Sequence, residues 1–273
     1  MNGRVLIIAG SDSGGGAGIQ ADIKTVTALN AFAMTAVTAL TAQNTLGVQG
    51  VHPVPLPFIR LQIRSVVDDL GVDAVKTGML GDAATIDLVA EELDRLALTK
   101  VGGVPVVVDP VMVAKGGHKL LADQAVAHLR RVLLPRAALL TPNLPEAALL
   151  ADMEITTEAD MHRAATVLLG FGVPAVLLKG GHLDSTDVLD LLATAEGVRE
   201  FRSARIATRH THGTGCTLAS AIAAGLAQGL PLADAVARAR RYVHRAIATA
   251  PGYGAGHGPL DHANTVDVNR LGC

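Results

Sequence analysis

Short runs of Val, Ile, Leu and Ala alternate with segments of helical periodicity along this chain, and that alternation restricts the fold more than any other feature. Val5–Ala9 is a buried strand pattern ending at Gly10, and Ile19, Ile23, Val26 and Leu29 follow at helical spacing. Met34–Leu40 reads as a second strand. Pro57 opens a helix to about Leu70, Val72–Lys76 is a short strand, and Asp82 opens a helix to about Leu98. Val104–Asp109 is nearly pure β-branched, and Ala138–Thr141 and Ala175–Lys179 repeat the pattern, each after a helix. Val188–Ala193 and Arg199–Ile206 read as a hairpin around Glu196-Gly197. A small-residue helix, Leu218–Gln228, and an amphipathic helix after Pro231 complete the series. Such alternation predicts an α/β fold with a mostly parallel sheet covered on both faces. No linker, charge block or fixed-period repeat divides residues 1–273, so a single domain is expected.

Composition agrees and removes several function classes. Apolar residues make up 49 % of the chain but aromatics only 2 %, so the core has to be aliphatic. A net charge of −2 gives no basic surface for nucleic acid or anionic membrane. The early apolar run Val5–Ala9 is too short for a signal segment or a membrane span, and a cytoplasmic protein is expected. Cys216 and Cys273 make neither a disulfide framework nor a zinc site, and the ten His show no paired metal spacing.

The polar residues Asp12, Gln43, Asp109, Asn143 and Lys179 each follow a strand pattern. In open α/β sheets the ligand crevice lies outside the carboxyl ends of the strands, so these distant residues can share one site. Thr211-His212-Gly213-Thr214-Gly215-Cys216-Thr217 is a glycine turn opening a helix, whose free N–H groups suit an anion. Cys216 falls in the first turn, where a thiol pKa is expected to be lowered. An ordinary tight turn with a small buried cysteine fits the same residues. Ser11–Gly18 is a glycine loop without the Gly-Lys-Ser/Thr ending of a P-loop. Asp109 suits Mg²⁺ or a structural cap, and Asn143 with Glu146 suits a ligand set or a capping box. Lys179 before Gly180-Gly181 suits a phosphate, with a surface lysine as the plain alternative. Gln43 offers the donor and acceptors that one edge of a heterocycle needs, although a turn residue explains it equally.

Taken together, Gly10-Ser11-Asp12-Ser13, Gly15–Asp22, Thr41–Thr45, Lys76–Leu80, Asp109–Met112, Thr141–Glu146, Lys179–His182 and Thr211–Cys216 resemble the hydroxymethylpyrimidine/phosphomethylpyrimidine kinases of the ribokinase-like superfamily. The segments occur in family order across most of the chain. Gly14 departs from the Ser expected there, and no familiar motif follows Tyr253. The resemblance implies a three-layer α/β/α fold, ATP as co-substrate, Mg²⁺ at Asp109 and Glu146, and a homodimer. It implies a substrate pocket of Gly10, Asp22, Gln43 and Met79. It places Lys179, Thr211, His212, Gly213, Thr214 and Gly215 on the phosphates, with Cys216 and Lys179 catalytic. The implied reaction phosphorylates a hydroxymethylpyrimidine twice, for thiamine biosynthesis. A pyridoxal kinase is the nearest rival, and a non-catalytic vitamin-precursor sensor a remote one. Two glycine cradles, Gly14–Gly18 and Gly213–Gly215, are expected to hold the acceptor's and the donor's phosphates.

Overall fold

A computed structural model describes residues 2–95, 103–112, 120, 123–267 and 269. The expected helix end at Leu98 and the terminal Cys273 lie outside the described residues.

Eight strands form one sheet: β1 (Arg4–Ala9), β2 (Phe32–Val37), β5 (Ala74–Thr77), β6 (Val106–Val108), β7 (Leu139–Leu140), β8 (Ala175–Lys179), β9 (Asp187–Thr194) and β10 (Gly197–Ala204). Their order is β10-β9-β8-β7-β6-β5-β1-β2. The six strands from β2 to β8 pair in parallel, while β9 and β10 are antiparallel as the hairpin pattern predicts. Parallel neighbours need helical crossovers, which cover both faces and leave strands that are apolar on both sides. Along β1, Leu6 and Ile8 pack on one face and Val5, Ile7 and Ala9 on the other, all at most 1 % exposed.

The first face is covered by α2 (Leu56–Leu70), α3 (Ala83–Arg95), α4 (Asp123–His128), α5 (Leu144–Ala151) and α6 (Glu158–Leu169). The second is covered by α1 (Gly18–Ala28), α7 (Thr214–Ala227) and α8 (Leu232–Ala248). The result is a three-layer α/β/α arrangement. Small residues let α7 lie close to its neighbours: a β-carbon at Gly225 would come within 2.8 Å of the Ala235 β-carbon on α8.

Met34–Leu40 departs from its expected single strand. The chain leaves the sheet after Val37, and Ala39–Asn44 (β3) pairs antiparallel with Gly47–Pro53 (β4) in a separate ribbon. Thr38 makes the corner: its N–H donates to Ala9 O at 3.0 Å, its hydroxyl donates to Met79 O at 2.6 Å, and its carbonyl accepts from Val54 N at 2.9 Å. The ribbon carries Gln43 out over the carboxyl ends of the strands.

Candidate active site

The strand ends open into a cleft of about 1470 Å³. All five polar residues that follow the strand patterns line it, and so do Gly10, Met79, Glu146 and every residue from Thr211 to Cys216.

At one end of the cleft, Gly10 follows β1, and a β-carbon there would collide with the Met79 methyl group. Ser13 fastens β3 to the first loop, its hydroxyl donating to Gln43 O at 3.0 Å and accepting from Gln43 N at 2.9 Å. The Gln43 side chain is half-buried beside Asp12.

The loop itself does not form the anion cradle expected at Gly14–Gly18. Three of its N–H groups are already taken by the chain's own carboxylate, and that of Gly15 by the Asp12 carbonyl. Asp12 Oδ1 accepts from Gly14 N at 2.8 Å, and Oδ2 accepts from Gly16 N at 3.1 Å and Ala17 N at 2.8 Å. His212 Nε2 lies 2.8 Å from the same Oδ2. Burial alone would raise the Asp12 pKa, but hydrogen bonds from His212, Gln43 and the loop amide of Ala17 bring it down to about 2. An internal anion therefore fills the first loop; the His212 ring is engaged there and its backbone N–H donates to Gly258 O, so both are committed within the protein.

The second glycine turn is open. Gly213 precedes α7 with φ 81°, a conformation that suits glycine, and no side chain caps the helix. Helix N–H groups and the dipole thus face the cleft. A β-carbon at Gly215 would stand 3.2 Å from Lys179 Nζ and 3.8 Å from either Asp109 carboxylate oxygen, so glycine lets the turn approach both charges.

Lys179 ends β8 with its ammonium 3.4 Å from Asp109 Oδ1. Burial would lower its pKa, but Asp109 and Glu146 raise it further, so it stays cationic. Glu146 does close a capping box on α5: Asn143 Oδ1 accepts from Glu146 N at 2.9 Å, and Glu146 Oε2 accepts from Asn143 N at 2.8 Å. The capping-box reading of this pair therefore holds in geometry. Burial pushes the Glu146 carboxyl up to about 7; Lys179 pulls it down and Asp109 pushes it up. Among the described residues no group of three or more His, Cys, Asp and Glu could hold a metal by itself. The two carboxylates fit Mg²⁺, which binds through one or two carboxylates with phosphate oxygens and water completing its shell.

Two expectations need correction. Asp22 is not on the cleft surface. It is fully buried in α1, where it accepts from Lys76 Nζ at 2.9 and 3.0 Å and from Ser220 Oγ at 2.6 Å. It acts from behind, holding the Lys76 ammonium that does line the cleft. The Cys216 thiol is also not acidified by its place in α7. Burial pushes it up to about 12; Lys76 and the Gly18 N–H lower it, while Asp22 and Asp109 raise it. Burial and two carboxylates outweigh the helix end.

Lys76 stands in the sequence only as the end of the Val72–Lys76 strand and the start of the Lys76–Leu80 segment; the fold reveals it as an ammonium 0 % exposed beneath a strand end. The Gly/His-rich segment from Pro251 to Pro259 reads in the sequence as a loop, and the structure gives that loop a role. Its backbone ties the ribbon to the phosphate turn: His257 N donates to Thr45 O at 2.9 Å, and Gly258 O accepts from His212 N at 3.1 Å. The spacing of Gly252, Gly254, Gly256 and Gly258 was the available signal, since β-carbons at 254 and 256 would strike Thr45 and one at 258 would strike His210.

Residues 12–261 match the family model described as phosphomethylpyrimidine kinase. The chain belongs to that family. A hydroxymethylpyrimidine/phosphomethylpyrimidine kinase of Streptomyces coelicolor is 51 % identical over 258 residues, 94 % of this chain and 93 % of the relative. A thiamine biosynthesis bifunctional protein of Geobacter sulfurreducens is 52 % identical over 95 % of this chain, which spans 52 % of that longer relative. In fold, an ADP complex of Bacillus subtilis pyridoxal kinase superposes with a TM-score of 0.89 at 38 % identity, covering 97 % of this chain and 98 % of that one. This family member is thus a phosphotransferase with the parallel-sheet fold of the vitamin kinases.

Proposed function

We propose that this kinase transfers the γ-phosphoryl group of ATP to the hydroxymethyl oxygen of 4-amino-5-hydroxymethyl-2-methylpyrimidine, and then phosphorylates the monophosphate, in thiamine biosynthesis. One observation carries the reading: a single cleft joins the Gly10, Gln43 and Met79 end to the Lys179, Asp109, Glu146 and Gly213–Gly215 end. Phosphoryl transfer asks mainly for positioning and charge stabilisation. Gln43 offers the pyrimidine edge an amide donor and acceptor. Lys179 and the N-terminus of α7 face the transferring phosphoryl group. Asp109 and Glu146 would hold Mg²⁺, which when bound neutralises phosphate charge.

In the transfer, the acceptor oxygen bonds to the γ-phosphorus, the bond to the bridging oxygen breaks, and ADP leaves. The hydroxyl proton has Cys216 Sγ as its acceptor. With the thiol at about 12 in the ligand-free protein, that role requires substrate binding to favour the thiolate, and Lys76 is this chain's own contribution to that end. The acceptor's phosphate in the second step has to be met at the turn and Lys179, because the first loop is filled by Asp12.

Purified protein with Mg-ATP and the pyrimidine alcohol is expected to give monophosphate and then diphosphate by mass spectrometry. No phosphorylated product would refute the assignment. Pyridoxal kinase is the second reading, favoured by the solved pyridoxal kinase of the same fold; a higher kcat/KM for pyridoxal would select it. We further infer a single kinase domain working in the cytoplasm as a homodimer, its contact including the exposed Leu40, Leu46 and Val51 of the ribbon. Among the described residues no helix is long and apolar enough to cross a membrane.

A further inference from the structure

We propose that Asp12 and His212 are positioning residues, whose contact locks the first glycine loop onto the phosphate turn and thereby sets the distance between acceptor hydroxyl and donor phosphorus. The proposal rests on the kinase reading above. Asp12 is 1 % exposed and receives three loop N–H groups, so its carboxylate is fixed relative to the acceptor end. His212 belongs to the phosphate turn and is fixed in its turn by Gly258 O. Their 2.8 Å contact joins segments 200 residues apart in sequence. The two backbones also meet with no room for a side chain. A β-carbon at Gly213 would strike Gly16 O, and one at Gly16 would come within 2.6 Å of the His212 ring. Ser13 extends the tie to Gln43, so the node runs from the pyrimidine end to the donor end.

The two members of the pair are not equivalent. Removing the Asp12 carboxylate would strand three loop N–H groups and disturb the loop itself. Removing the His212 ring leaves those three bonds in place and cuts only the tie between the loops. Misplacement of reacting groups by about 1 Å can cost about 100-fold in rate. A loosened tie should therefore appear in kcat and in the fate of the phosphoryl group, which water can intercept when the acceptor is held loosely.

The experiment compares wild type, His212→Ala and His212→Gln with saturating pyrimidine alcohol and Mg-ATP, measuring ADP and phosphorylated pyrimidine separately. Expected for His212→Ala are a kcat lower by about 10- to 100-fold, KM values within about twofold, and more ADP per product formed. His212→Gln keeps a nitrogen donor at the Nε2 position and is expected to recover most of the rate and the coupling. If His212→Ala does not fold, His212→Phe, which keeps a planar ring and removes the nitrogen facing Asp12, is expected to show the same split. An unchanged kcat with only a lower melting temperature overturns the proposal. So does a rise in KM alone, or a Gln variant no better than Ala. A wild type that phosphorylates neither vitamin precursor refutes the kinase reading and the proposal with it. Normal wild-type turnover with tightly coupled variants refutes the tie alone.

Discussion

Acid should weaken this protein through one identifiable histidine. His262 is 6 % exposed under α8, with its Nε2 3.0 Å from Thr217 Oγ1, while Tyr242 Oη donates to its carbonyl at 2.6 Å. Burial lowers its pKa to about 4 from the ordinary 6.5; Lys24 and His212 add to the lowering and Asp261 opposes it. The folded protein thus keeps the ring neutral where the unfolded chain takes up a proton. A depressed folded-state value means the stabilisation is complete above 6.5 and is lost as pH falls toward about 4. Across that interval, at about 1.4 kcal/mol per pH unit, the loss amounts to about 3 kcal/mol. Urea unfolding at pH values from 7.5 to 4 checks it, with His262→Gln as the control that removes the titration and keeps a polar partner for Thr217. The wild-type stability curve should fall about 3 kcal/mol further than the variant's. Parallel curves would refute the argument, because they would show that the ring is protonated in the folded state as easily as in the unfolded one.

The other expectations are briefer. Gln43→Ala should cost about 1–3 kcal/mol of pyrimidine binding in calorimetry, leaving nucleotide affinity nearly unchanged, since it strands one heterocycle edge. In the ligand-free protein, Cys216 should react slowly with iodoacetamide at pH 8, as site-resolved mass spectrometry would show, because little thiolate exists when the thiol sits at about 12. Gly225→Ala should destabilise by about 1–2 kcal/mol in thermal unfolding, overpacking against Ala235 outweighing the better helix propensity. Glu146→Gln keeps an acceptor for the capping box and removes a carboxyl that resists ionisation, so it should abolish turnover while raising the urea midpoint at pH 8. The sign follows from the elevated value: the Glu146 contribution to stability is present below about 4.5 and is lost as pH rises through about 7.

What could be read in the sequence follows from how local its causes are. Buried parallel strands announce themselves as aliphatic runs, so the positions of Asp109 and Lys179 at strand ends were legible from Val104–Val108 and Ala175–Leu178. The hairpin of β9 and β10 was equally clear. The ribbon was not: β3 alternates half-buried and exposed residues, and the corner at Thr38 is made by partners 29 and 41 residues away, Ala9 O and Met79 O. Asp22 was misplaced because a motif gives proximity in sequence, whereas its helix turns it inward to Lys76, 54 residues on. Asp12 shows the same limit in reverse. A glycine loop advertises free N–H groups, but only the fold reveals that a neighbouring carboxylate consumes them. For Cys216, the helix-end rule counts the backbone alone; the burial and the two carboxylates that reverse its effect come from other elements.

These shifts share a cause. The floor of the cleft gathers Asp109, Glu146 and Cys216 around the ammonium groups of Lys76 and Lys179, and Lys76 is already committed to Asp22 buried behind it. Full ionisation of the acids would leave more negative than positive charge in a buried site. The free protein avoids this by holding protons on Cys216 and, below about 7, on Glu146. A divalent cation held at the two carboxylates, as proposed, would correct the imbalance, whereas nucleotide phosphates alone would worsen it. On the proposed function, nucleotide and cation would bind as a pair, each making the other's site electrostatically acceptable. The same imbalance explains the expected gain in stability when Glu146 loses its charge: the charge that makes the site receptive to a cation is a cost to the fold until that cation arrives.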